Sequence, residues 1–422
     1  MTESRQVTLL FAITMAIGAG GVALAYLLGP FTSLDAAAVL FVVATPFLFL
    51  LLYFIHGKEP DETVPRYLSE VPNPARKPWV VNLVFRSDTF ESTDDAFYAT
   101  VLDLQRRGYV ELSPADPDDR VRMRVLKDNS EDPYEQNVLR FLGFIGEGKI
   151  PDPEEVGRLF FSTLQSDSAL FEIGTKTVLQ LFRGGLGSHL FSMGSLIRPP
   201  EDAVNAFFEG GRRRVIPVFL AAAAFYLLAT ILPLLSGEPG ILIDPSGLFT
   251  AIFAFILFLA LLKGQGKRVG MARAKHLVLS LFLGFLFVAV VLPSAFFGMI
   301  SPSQMLMYVV GLQCLAATRF PPTLLGRWKA GAYREKLQWD AFRAFLSDLV
   351  RIREYSHADR VIWGEWLIYG TTLGVGDGVA SAMQDLHIRI PEKEIGDAVK
   401  AAVQRYAESA AKEARLRETG GQ

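Results

Sequence analysis

The chain has 422 residues, 50% of them hydrophobic and 20% charged, with a formal net charge of -2 and a single cysteine. A mean hydropathy of +0.28 exceeds that of an ordinary soluble protein and directs attention to membrane spans, while the near-neutral charge offers no bulk attraction for a polyanion. Cys314 alone excludes an intramolecular disulfide and a cysteine-based zinc cluster.

Two apolar runs open the chain: VTLLFAITMAIGAGGVALAYLL (7–28) and LDAAAVLFVVATPFLFLLLYFI (34–55). Each is long enough to cross roughly 30 Å of hydrocarbon. Arg5 ahead of the first run raises a cleaved signal peptide, but the run outlasts an ordinary signal core and lacks a polar cleavage context, so an uncleaved helix is expected. Four further runs, at about 215–235, 246–262, 277–299 and 302–318, bring the expectation to about six spans.

Lys and Arg near span ends set orientation. The loops 29–33, 236–246 and 300–304 carry none, whereas KGQGKRVGMARAKH (263–276), Arg212 to Arg214 and Arg319 are basic. With six spans all of these fall on one side, so both termini and the soluble segments are expected to be cytoplasmic, in a cell-membrane protein. The basic loop 263–276 is also placed to meet anionic lipid headgroups.

After the second span, VPNPARKP (71–78) reads as a connector. The stretch DDAFYATVLDLQRRGYVELS (94–113) then reads as a helix and a strand. Ser92 and Asp95 have helix-start spacing, Phe97, Val101 and Leu104 form one apolar stripe, and Gly108 stops the helix. YVEL leads through SPADPDD into RVRMRVL, where Val121, Met123 and Val125 alternate with Arg120, Arg122 and Arg124 as in a half-buried strand. Helix, strand, loop and strand form the back half of a winged-helix domain. Two further helices are expected from Asp132–Pro133, with Tyr134, Val138, Phe141 and Ile145 in a stripe, and from Asp152–Pro153.

A winged helix raises DNA binding, which the charge disfavours. Residues 57–214 hold 20 Lys and Arg against 26 Asp and Glu, and Asp94, Asp95 and Asp103 face Arg106 and Arg107 on the helix itself. The candidate partner-contact residues are therefore Arg106, Arg107, Arg120, Arg122 and Arg124, for a protein rather than a nucleic acid.

Beyond the sixth span, QWDAFRAFLSDLVRI places Trp339, Phe342, Leu346 and Leu349 on a helical face, and DRVIWGEWLIYGTTLGVG adds Ile362, Trp366 and Tyr369. Trp339, Phe342, Trp363, Trp366 and Tyr369 are candidate docking aromatics, for each other, for the winged domain or for the membrane surface. A charged helical tail runs from Glu392.

The segments HGKEP, YATVLDLQRRGYVEL, WDAFRAFL and WGEWLIYGTTLGVG resemble the DUF2207 family of predicted membrane proteins, including its YciQ-like C-terminal domain, over roughly residues 50–385. Members commonly begin with a secreted β-rich domain, in place of which a short N-terminus and a hairpin of spans stand here. The resemblance implies no catalytic residues.

No chemistry-bearing motif competes. His56, His189, His276, His357 and His387 are scattered without metal-ligand spacing, GQGKR lacks the Ser/Thr of a phosphate loop, and GVGDG (374–378) reads as a turn after a helix. The spans carry only Asp35, Asp244 and His56, all near ends, which argues against ion-coupled transport. Gly21, Ala25 and Ala221 to Ala224 allow close helix packing, and Pro46, Pro217, Pro233 and Pro293 allow kinks.

The expected architecture is thus a polytopic α-helical membrane protein with a cytoplasmic α+β winged-helix-like domain and a helical C-terminal cytoplasmic region. In chain order these are a membrane hairpin (1–56), the winged-helix-like and helical domain (57–211), a four-helix membrane region (212–318), and amphipathic helices with a charged tail (319–422). The expected function is a non-enzymatic scaffold or signalling component, without cofactor or metal, that contacts the lipid bilayer and a protein partner. A transporter or channel subunit with an uncharged path is the alternative, and a membrane-tethered nucleic-acid-binding regulator ranks third.

Overall fold

The computed structural model describes residues 3–28, 31–114, 121–147, 197, 199–200, 202–235, 301–348, 360–388 and 399–400. In chain order its main elements are α1 (Glu3–Leu28), α2 (Ser33–Leu52), α3 (Pro78–Phe85), α4 (Asp94–Arg106), β1 (Val110–Pro114), β2 (Val121–Val125) and α5 (Pro133–Glu147). They continue with β3 (Phe208–Gly210), α6 (Ile216–Leu235), α7 (Pro302–Ala317), β4 (Gly326–Trp328), α8 (Ala332–Ser347), α9 (Arg360–Thr372) and α10 (Gly376–Asp385). The spans expected at 246–262 and 277–299, the basic loop 263–276, the helix expected from Asp152 and the tail from Glu392 apart from 399–400 lie outside the described residues. The chain divides into two compact units, residues 1–61 with 205–332 and residues 62–204 with 333–422. The described structure is mostly helical, with little sheet.

In the first unit, Ser4–Leu27 and Ser33–Gly57 are long and apolar enough to cross a membrane, and only 28% of the most apolar window of each is buried. Leu9, Leu40, Phe47 and Leu51 point outward while Leu10, Ala25, Val42 and Phe49 are enclosed. Leaving such side chains outside is costly in water and free in hydrocarbon. The short helix α7 packs against α1, α2 and α6. The close approach expected at Gly21 is there: a Cβ would lie 2.5 Å from Cγ2 of Val309 on α7. Of the alanine run on α6, Ala222 is the member fully turned inward.

Polar groups in this unit tie helices together. Asp35, 2% exposed, accepts from the backbone N (2.9 Å) and hydroxyl (2.7 Å) of Thr32 in a capping box. Its other oxygen accepts from the backbone N of Ser303 at 2.7 Å. One carboxylate therefore serves the positive ends of both α2 and α7. Deeper in, Gln313 Nε2 on α7 donates to the carbonyls of Thr14 (2.9 Å) and Val42 (3.2 Å), one on each neighbouring helix. Helix α2 runs into a π-helical turn, Tyr53–Gly57, whose Gly57 abuts the carbonyl of Leu324, so a Cβ would collide with backbone. This gives the glycine of HGKEP a physical reason.

In the second unit, α4 carries Phe97, Val101 and Leu104, all fully buried. Thr93 caps it in extended conformation rather than Ser92, whose hydroxyl is buried with no hydrogen-bond partner among the described residues. Gly108 at φ +72° ends the helix: its N–H reaches the Gln105 carbonyl at 2.8 Å and that of Tyr109 reaches Leu104 at 2.9 Å, a Schellman motif. The chain then enters the antiparallel hairpin β1–β2, which pairs Val110 with Val125 and Leu112 with Met123. α5 begins as expected, with Asp132 accepting from the backbone N of Tyr134 (2.8 Å) and Glu135 (3.1 Å).

Gly57→Ala is expected to destabilise the first unit by about 1–3 kcal/mol of overpacking, read as a lower melting temperature of the full chain in detergent. Gly20→Ala, where nothing lies within 4 Å, should leave the melting temperature unchanged or raise it. Equal behaviour of the two variants would refute the close contact.

Candidate functional site

The second unit is built from two stretches of chain, and the seam between them gathers most of the residues singled out in the sequence. From the later stretch come Trp339 and Phe342 on α8 and Trp363, Trp366 and Tyr369 on α9, each no more than 2% exposed. They pack ring on ring: Trp339 lies 5.3 Å from Tyr369, 6.0 Å from Phe342 and 6.2 Å from Phe85 of α3, and Trp366 lies 5.1 Å from Trp363 and 5.2 Å from Phe345. Burial of aromatics with offset or edge contacts is a large favourable term. These candidate docking aromatics face each other and the earlier stretch.

The Pro-rich connector is laced onto the same helices. Trp366 Nε1 donates to the Ser69 carbonyl at 3.0 Å, and the Tyr369 hydroxyl donates to that of Arg76 at 2.9 Å. Arg76 in turn makes two bonds to Glu335 of α8, at 2.9 and 3.0 Å. This forked geometry raises the Arg76 pKa through the hydrogen bond to Glu335.

Asn82 on α3 holds the centre. It is fully buried. Its Nδ2 donates to the Thr372 carbonyl at the end of α9 (2.8 Å) and to the Thr93 hydroxyl (3.0 Å), and its Oδ1 accepts from the Thr93 backbone N (2.9 Å). Arg86, one turn on, bonds the Thr93 hydroxyl and the carboxylate of Asp95. The same guanidinium lies against Gly374, where a Cβ would come 2.7 Å from Nη2 at φ +78°. Gly374 closes α9 by a second Schellman motif, with the Val375 N–H on the Gly370 carbonyl at 2.8 Å. GVGDG is therefore a helix stop followed by α10, as its turn reading required.

Charge follows the same inward logic. Arg106 pairs with Asp103 (3.1 Å) on its own helix and with Glu365 of α9 (3.0 Å). Arg107 approaches Asp103 (2.9 Å) and Glu135 of α5 (2.6 Å). The Glu135 carboxylate, with no exposed surface, also takes Lys77 at 2.8 Å and the Ser130 hydroxyl at 2.6 Å. Burial alone would push its pKa up, but the hydrogen bonds from Lys77, Ser130 and Arg107 outweigh that and hold it below the usual carboxylate range. Burial would lower the Arg107 pKa, and Glu135 and Asp103 reverse it.

Of the candidate partner-contact arginines, Arg106 and Arg107 are thus engaged within the unit. Arg124 is exposed on β2, Arg122 is placed by its backbone on the same strand, and Arg120 lies outside the described residues. Asn82, Glu135 and the Arg76–Glu335 pair were not singled out by the sequence. Asn82 had a signal, being the one polar residue in the helical run PWVVNLVF; Glu135 had none, because an acid in a first helical turn is ordinary. Among the described residues no group of three or more His, Cys, Asp or Glu could hold a metal ion. Chemically the seam spends most of its polar groups on one another, with Trp363 Nε1 left buried and without a hydrogen-bond partner among the described residues: it fixes helices.

Residues 64–383 match the family described as predicted membrane protein (DUF2207), C-terminal domain, and the chain belongs to that family. No curated protein and no solved structure matches it.

Asn82→Ala should cost several kcal/mol, since it leaves buried partners on α4 and α9 unsatisfied at about 1–3 kcal/mol each. Tryptophan fluorescence during urea unfolding of the full chain is a suitable probe, because Trp79, Trp339, Trp363 and Trp366 all lie in this unit. Glu135→Gln should cost about 1–2 kcal/mol by weakening the charge-assisted bonds from Arg107 and Lys77, both partly exposed and Arg107 still paired with Asp103. Because the Glu135 pKa is lowered on folding, its stabilisation is complete above the ordinary value of about 4.3 and is lost as pH falls through the lower folded value. The variant should therefore show a shallower loss of stability in acid, and an unchanged acid slope would contradict the assignment.

Proposed function

We propose that this member of the DUF2207 family is a non-enzymatic integral membrane protein whose soluble unit serves as a scaffold or signalling component and contacts a protein partner at the cytoplasmic face. About six spans, with the basic loops and both termini inside, remain the reading best supported by the distribution of Lys and Arg. The order α3, α4, β1, β2, α5 supports a winged-helix-like module. The observation that carries the proposal is the inward commitment of the seam. Arg106 and Arg107, the cations best placed for a phosphate backbone, are each shared between two carboxylates, which leaves Arg124, exposed on β2, among the cations still open to a partner.

The partner surface in this reading is the hairpin carrying Arg120, Arg122 and Arg124, opposite acidic groups on the partner. The transporter alternative has one supporting feature, the Gln313 amide oxygen, which is buried with no partner among the described residues; flux of an uncharged solute through reconstituted vesicles would favour it.

Reversal of the hairpin charge (R120E, R122E and R124E together) tests the leading reading in a crosslinked pull-down of the full chain from native membranes. A stoichiometric partner should be captured by the wild type and lost from the variant. Recovery of the same partner by both, or of none by either, would sink the hairpin surface. The same purified chain should bind duplex DNA no better at 50 mM salt than at 200 mM, since salt-sensitive binding would favour the nucleic-acid reading.

A further inference from the structure

We propose that the first unit holds the phosphate of an anionic membrane lipid at its cationic end, through Arg213, Arg214 and Arg327 with Lys58 at the border. The inference rests on membrane localisation and is independent of any protein partner. These residues come from three places in the sequence and are brought to one end of the helices by a run of tight packing. The turn Tyr53–Gly57 packs on the 3-10 turn Pro322–Leu325 and on β4, and the 3-10 turn Gly211–Val215 packs on the same two elements. Arg214 is anchored there, its Nη1 donating to the Leu325 carbonyl at 3.1 Å, and Arg327 projects from β4, where Gly210 pairs with Gly326 and Glu209 pairs with Arg327 in register.

The cations are crowded and under-neutralised. Among the described residues Arg213 and Arg327 are exposed and make no ion pair with an acid, and Arg214 hydrogen-bonds the Leu325 carbonyl rather than a carboxylate, with Glu209 the one nearby acid that acts on it. Burial lowers the Arg214 pKa, and the nearby Arg327 lowers it further, against the opposing pull of Glu209. Held cations that depress one another are stabilised by an anion placed between them, and the guanidinium fork suits a phosphate. The place selects the source. The helices that end here turn Leu9, Leu40, Phe47 and Leu227 outward, as hydrocarbon requires, so the anion available at their ends is a lipid headgroup. At the opposite end, residues 31–33 and 301–304 carry no Lys or Arg, so the arrangement is one-sided among the described residues.

The test uses the full chain in lipid nanodiscs, with spin-labelled phosphatidylglycerol or phosphatidylcholine as the probe and the motionally restricted fraction as the readout. Phosphatidylglycerol should be preferred by the wild type. R213Q with R327Q should lower that preference by about fivefold per cation removed, the equivalent of about 1 kcal/mol each near a charged surface, with phosphatidylcholine association unchanged. Both side chains are exposed, so folding should not suffer, and Arg327→Lys should retain most of the preference. No preference in the wild type, or the same preference in the double variant, would overturn the site. Loss of the preference on adding millimolar inorganic phosphate at constant ionic strength would overturn the lipid assignment in favour of a soluble anion.

Discussion

The amide of Asn82 sits with no exposed surface inside an apolar helix, and a buried amide that lacks partners is a liability of several kcal/mol. Its requirements are met by the first residue ahead of α4 and by the last carbonyl of α9, the latter 290 residues away in sequence. Satisfying one side chain therefore fixes three helices relative to each other. The consequences spread outward: with the end of α9 set by Asn82, Gly374 is brought against Arg86, and the positive guanidinium lies at the negative end of that helix. The aromatic rings of α8 and α9 then have a defined surface to pack on, in Phe85 of the same α3.

The ion pairs do a different job from the aromatics. A buried pair repays its desolvation only when its geometry is saturated, and Glu135, with Arg107, Lys77 and Ser130 around one carboxylate, is saturated. Removing one member of such a cluster is costly, because the remaining charges lose the counter-charge that offset their desolvation. The first unit obeys the same accounting in a harsher solvent. Asp35 and Gln313, both buried, each bridge helices through backbone groups, so that polar atoms out of reach of solvent keep their partners. Close contact at Gly21 supplies the packing that apolar solvent cannot drive.

Local rules were legible in the sequence, and long-range partnership was not. The apolar stripe Phe97, Val101, Leu104, the stop at Gly108, the hairpin and the start at Asp132 each depend on residues within one or two turns, and the structure follows them. At the start of α4 the spacing of Ser92 and Asp95 pointed to a cap one residue early, since Thr93 had a stronger claim on the position through Asn82. The aromatic faces of α8 and α9 were visible as faces. What they cover was not, because a stripe specifies that burial occurs without specifying against what. Arg106 and Arg107 looked available for the same reason: Glu365 and Glu135 are ordinary helical acids until the fold places them within 3.0 Å and 2.6 Å.

This partnership across distance constrains how the second unit can form. The stretch 62–204 is made before residues 205–332 and well before α9 exists, so Asn82, Arg106 and the Ser69 carbonyl stay without their later partners until the rest of the chain is complete. Loop-closure entropy grows only as the logarithm of the intervening length, about 0.6 kcal/mol per doubling, so the segment 205–332 between the two stretches is a small thermodynamic burden. Its weight is kinetic, because a seam of such high sequence separation forms late. Until then Phe85 and the apolar face of α3 lack the later rings that cover them. The acidic excess of 57–214 and the self-contained hairpin fit that interval: local pairs can form at once, and net charge keeps the waiting surface from associating.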